Sequence, residues 1–112
     1  MAESNGAVIM WRAPFEPAAR TERIVQAYHV LVSFLRDDVR LVAVGADLDK
    51  AYRARLQEEV NELNLTASRF ASEGEELPTA TITLTPSDIP EGVGPTALAE
   101  ALHALLADRE NR

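Results

Sequence analysis

Two short runs of almost uninterrupted apolar residues, 7–11 (Ala-Val-Ile-Met-Trp) and 39–45 (Val-Arg-Leu-Val-Ala-Val-Gly), bracket a long stretch with helical periodicity. A strand with one wet face alternates apolar and polar side chains, whereas a strand apolar at nearly every position is covered on both faces. Two such strands joined by a helix-length connection pair in parallel, because a tight hairpin turn is not available to them. This fixes the class as α/β. Pro14 and Pro17 break regular structure after the first run. Over residues 17–36, Ile24, Ala27, Tyr28, Leu31, Phe34 and Leu35 then recur at the spacing of one helix face, and Asp37 and Asp38 end it.

The pattern repeats. Gly45, Ala46 and Asp47 supply a turn and a helix N-cap, and Leu48, Tyr52, Leu56, Val60 and Leu63 mark the buried face of a second helix. Lys50, Arg53, Glu58, Glu59 and Glu62 form its wet face. Residues 65–71 read as a short third strand and 72–78 as an acidic loop. In residues 79–85, Thr79, Thr81, Thr83 and Thr85 point one way while Ala80, Ile82 and Leu84 point the other. That alternation predicts a fourth strand whose threonine face meets water, a loop or a partner. Residues 86–94 form a Pro/Gly-rich loop, and Pro95 suits the first turn of a last helix with Leu98, Leu102, Leu105 and Leu106 toward the core. The expectation is a three-layer domain: a mostly parallel four-stranded sheet in the order 3-2-1-4 with helices on its faces, part of a doubly wound fold.

A chain of 112 residues holds one core, so residues 1–112 are expected to be a single domain, with 1–6 and 110–112 as loose ends. The formal net charge of −7 argues against a nucleic-acid surface, which needs clustered Lys and Arg. With no cysteine there is no disulfide, thiolate nucleophile or zinc–thiolate centre. The first residues lack the pattern of a secretory signal and no run is long enough to span a bilayer, so the expected location is cytoplasmic.

Several segments together point to a family: Arg12-Ala13-Pro14, the helix of residues 23–31, the strand and helix of 38–65, and Glu75-Glu76-Leu77-Pro78. Pro90-Glu91-Gly92-Val93-Gly94 comes next, and then Ala97-Leu98-Ala99-Glu100-Ala101. In this order, across residues 8–108, the chain resembles the C-terminal Rossmann-like domain of retaining GT-B glycosyltransferases of the glycogen-synthase and trehalose-synthase kind. The resemblance implies a nucleoside diphosphate sugar as ligand, with no metal and no other cofactor. It implies Arg12 on the diphosphate, Glu91 on the sugar, Glu100 on the ribose, and Gly92 and Gly94 in the loop that holds the donor. Where the family has a lysine this chain has Ala19, with Arg20 beside it. Glu91 and Glu100 stand one residue further apart than the family pattern, which turns the second carboxylate by roughly 100° around a helix. A family enzyme also places a second domain across the cleft. The resemblance therefore implies a reduced domain with no catalytic residue and no transferase activity as an isolated chain, which binds a nucleotide or nucleotide sugar weakly or serves as an interaction module. Two alternatives stand beside it: a homodimer paired through the 79–85 edge strand, or one subunit of a split retaining glycosyltransferase completed by a separate N-terminal-type subunit.

The remaining polar residues read as ordinary. His29 and His103 are helix-flank residues without partners at metal-ligand spacing, and Ser33, His29 and Asp37 lie on one helix and cannot converge as a triad. Glu73-Gly74-Glu75-Glu76 is a solvated loop before it is a cation site. Arg12 is expected to carry an anion or to pair with Glu16, and Trp11 to be a buried strand-end aromatic before a stacking surface for a base.

Overall fold

The computed structural model describes residues 6–111. Strands β1 (Ala7–Arg12), β2 (Val39–Val44), β3 (Ser68–Ala71) and β4 (Ile82–Leu84) form one all-parallel sheet in the order β3-β2-β1-β4. Helices α1 (Thr21–Val30), α2 (Lys50–Glu62) and α3 (Pro95–Glu110) flank it. The α/β class, the strand order and the parallel sense are those the apolar pattern predicts. β1 sits centrally between β2 and β4, and Ala7 to Trp11 are all buried, as a strand without polar alternation requires.

The two faces are covered differently. Ala7, Ile9 and Trp11 of β1 and Val39, Leu41 and Ala43 of β2 share one core with the buried residues of all three helices. Val8, Met10, Val42, Val44 and Ala71 form a second, smaller cluster, against which Leu77 and Ala80 pack. Topology accounts for this. The chain steps from β1 to β2 to β3 in one direction, so crossovers of one hand put α1 and α2 on the same side. The return from β3 to β4 runs back across the sheet and passes over the other side. Residues 72–81 make that return as non-helical chain, a strap where a doubly wound fold carries a helix.

Local chemistry moved several boundaries. The expected helix over 17–36 is interrupted at Arg20, which takes a left-handed conformation (φ 54°, ψ 43°) between a single 3-10 turn at Pro17–Ala19 and α1. It also ends in a wide π turn, Leu31–Leu35, closed by the Arg36 N–H bonding the Leu31 carbonyl at 2.9 Å. An extra residue in one turn rotates the residues beyond it away from the core. Phe34 is thus 79% exposed and Leu35 37% exposed, where regular spacing places both inside. The N-cap of α2 is Asp49, not Asp47: its Oδ1 accepts the Tyr52 N–H at 2.9 Å. Asp47 instead pairs with Arg53 at 2.9 Å, and Leu48 lies before the helix, 61% exposed. Leu105, expected in the core, is 43% exposed on α3.

β4 is shorter than 79–85, and the expected alternation holds only within it: Ile82 and Leu84 are buried and Thr83 is exposed, whereas Ala80, still in the strap, packs against the cluster on the other face. Of the two expected loose ends, residues 1–5 and 112 lie outside the described residues, while Glu110 closes α3 and pairs with Arg36 at 2.6 Å. Two buried hydrogen bonds tie α1 to the sheet, from Trp11 Nε1 to Thr21 Oγ1 at 2.9 Å and from the Tyr28 hydroxyl to the Val39 carbonyl at 2.6 Å. Burial pushes the Tyr28 phenol up to about 12, so it stays a donor at any ordinary pH. Among the described residues no helix is long and apolar enough to cross a membrane.

Candidate functional site

Strand order reverses between β1 and β4, and in parallel sheets ligands collect beyond the carboxyl ends of the strands at such a reversal. Here the chain leaving β1 passes through the 3-10 turn into α1. The chain leaving β4 passes through a second 3-10 turn, Pro86–Asp88, and residues 89–94 into α3. Between them lies an open crevice of about 250 Å³. Ala18, Ala19, Arg20 and Arg23 form one wall, Pro86, Ile89 and Glu91 the other, with Trp11 at the strand end.

Arg20 is exposed and stands at the N-cap position of α1, where the helix presents unpaired N–H groups. Its own side chain makes no capping bond. Arg23, one turn into the helix, donates from Nη2 to the carbonyls of Pro90 at 3.0 Å and Val93 at 2.9 Å. It thereby latches the Glu91 loop to α1. No sequence signal marks this contact, because it joins residues far apart in the chain through backbone carbonyls.

Gly92 has φ 81°, a conformation that favours glycine, while a Cβ added at Gly92 or Gly94 meets nothing within 4 Å. The loop needs its first glycine for the turn, and neither glycine makes room for a close neighbour. Gly94 precedes Pro95 as the α3 N-cap residue.

The six residues implied by the resemblance do not converge. Arg20 and Glu91 share the crevice. Arg12 follows Trp11 by one residue on β1, so its side chain leaves the opposite face. There it lines a separate depression of about 240 Å³ with Pro14, Gly45 and Glu73, and pairs with Glu73 at 3.5 Å in place of Glu16. Glu100 is exposed on α3 and lines neither space. Trp11 is 1% exposed, with its indole N–H given to Thr21, so it floors the crevice without offering a ring face.

The acidic run is engaged locally. Glu75 accepts the Ser72 N–H at 2.6 Å and an Arg69 nitrogen at 3.0 Å, contacts that hold its carboxyl below its ordinary range. Among the described residues no three His, Cys, Asp or Glu side chains are grouped to hold a metal ion. In comparison with known proteins, no family model, no curated protein and no solved structure matches this chain.

Proposed function

We propose that the crevice between β1 and β4 binds a small phosphate-bearing molecule of the nucleoside diphosphate or nucleoside diphosphate sugar class, and that the isolated chain transfers no sugar. The observation that carries the reading is the placement of Arg20 and Glu91 on one crevice at the start of α1. A diphosphate against Arg20 would also meet the first N–H groups of the helix, which favour anions. Glu91 on the facing wall suits a ligand hydroxyl. Transfer of the sugar requires positive charge where the departing diphosphate gathers negative charge. Ala19 lines the crevice where the glycosyltransferase pattern has a lysine, and Arg12 is turned to the other face. Those placements support binding without transfer. They also weigh against the split-transferase alternative, which needs the same charges.

At about 250 Å³ the crevice lies below the roughly 300 Å³ at which pockets for drug-sized ligands begin, so affinity should be weak. Calorimetric titration with UDP, GDP, ADP and their glucose conjugates is the test. Saturable heat is expected, with Arg20→Ala weakening every ligand about tenfold, the effect of one lost charge-assisted hydrogen bond. Glu91→Gln should weaken the sugar conjugates more than the bare nucleotides. Flat isotherms at millimolar ligand would sink the nucleotide reading.

A second reading, a structural domain that forms a homodimer through this edge strand, is favoured by β4, which ends the sheet with Thr83 exposed.

A further inference from the structure

The helix-free face carries a basic groove at the amino ends of β2 and β3, the other end of the strands from the β1/β4 crevice. Its volume is about 270 Å³. Val42 lies on its floor, Pro78 of the strap walls it, and Arg40, Arg69 and Thr66 bring polar groups to it. No Asp or Glu lines it.

Register explains why the two arginines meet. Val42 of β2 lies opposite Arg69 of β3, and Arg40 precedes Val42 by two residues, so both guanidinium groups rise from the same face on diagonal positions. An anion seated between two cations so placed is attracted by both. Arg69 gives one nitrogen, Nη2, to Glu75 at 3.0 Å, which leaves its other donors open. Arg40 has no carboxylate partner among the described residues, in a chain with 18 acidic and 11 basic side chains. Thr66 also lines the groove, and the Ser68 hydroxyl is engaged with the Leu65 carbonyl at 2.7 Å.

We propose that this groove is a phosphate site, taking a phosphate monoester or free phosphate between Arg40 and Arg69. Two guanidinium groups match a dianion in charge, and their planar forks match its oxygens in geometry. The groove opens on the sheet face without helices, so the phosphate owes nothing to a helix terminus, and the site stands independently of the nucleotide reading.

Amide shifts in a 15N-labelled sample, titrated with inorganic phosphate and separately with phenyl phosphate, test the proposal against chloride at matched ionic strength. The amides of Arg40, Thr66, Ala67 and Arg69 should move saturably with phosphate and not with chloride. Tighter binding of phenyl phosphate would mark a monoester site, and equal binding a free-phosphate site. Arg40→Gln and Arg69→Gln should each weaken binding about tenfold, as loss of a charge-assisted hydrogen bond does. Both side chains are exposed, so unchanged thermal unfolding of the variants is expected alongside. Glu75→Gln removes the competing charge on Arg69 while keeping an acceptor for Ser72, and should tighten binding. Shifts no larger than those in chloride, or full affinity in Arg40→Gln, overturn the site. Shifts confined to the amides around Arg20 and Glu91 would assign phosphate to the crevice alone and overturn it equally.

Discussion

Among the described residues two other than glycine have positive φ, and they differ in what the chain gains. Asn64, at φ 59°, comes after α2 and occupies the left-handed position that asparagine tolerates when a helix stops. Arg20, at φ 54°, closes the Pro17–Ala19 turn in the same conformation, but it lacks the short polar side chain that tolerates it, at a cost on the order of 1–2 kcal/mol. Strain at one residue beside a crevice is a reason to look for a role there. Arg20→Gly relieves it, and the folded protein should gain up to about 1 kcal/mol in urea unfolding after the entropy of glycine is subtracted. The same variant should lose the nucleotide heat. Stability and binding moving in opposite directions would mark Arg20 as kept for its charge. A variant that is destabilised and still binds would return Arg20 to a purely structural part.

At the scale of elements, legibility followed burial on regular spacing. β1 and β2 were readable because apolar runs have one structural outcome when both faces are covered, and α2 and α3 because their buried residues keep a near-regular period. The end of α1 was not readable. Its π turn swings Phe34 outward and leads into Arg36, whose guanidinium grips Asp38 at 2.7 Å and Glu110 at 2.6 Å. Contacts 74 residues apart leave no local trace in a sequence. The candidate site was legible in the same uneven way: Arg20 and Glu91, expected together, share one crevice, whereas Arg12, expected with them, is turned to the opposite face by strand parity, and the Arg23 latch left no signal.

The Arg36 clasp has a pH signature. Hydrogen bonds from Arg36 hold Asp38 below its ordinary 3.8 and Glu110 below its ordinary 4.5. Groups with depressed folded values contribute stability that is fully present above their unfolded values and is lost as pH falls through the folded ones. Both carboxylates are more than a third exposed, so solvent screening holds the clasp to about 1 kcal/mol. Arg36→Met should unfold at lower temperature than the parent at neutral pH, and the gap should close as pH falls below about 4. A gap that persists in acid would assign the loss to packing of the arginine stem instead.

For the molecule as a whole, the parallel sheet has two open ends, and they are protected unequally. β3 carries Arg69 on its ladder, and the strap leaves from its end; charged side chains at an edge discourage pairing. β4 presents Thr83 and no charge in Ile82–Leu84, with uncharged threonines continuing before and after it. An uncharged edge is a template for another strand, and its three-residue length is what limits it. Two copies joined at β4 about a two-fold axis would run antiparallel at the seam and make one continuous sheet. If this pairing is the domain's role, light scattering should move from 12.3 kDa toward twice that mass as concentration rises. Thr83→Lys puts a charge on each side of the seam, near its symmetry mate, and should return the mass to one copy without lowering thermal stability, since Thr83 is exposed. A single-copy mass at every concentration removes the dimer. A doubled mass indifferent to Thr83→Lys moves the contact elsewhere, and the outward Phe34 would be the next residue to change.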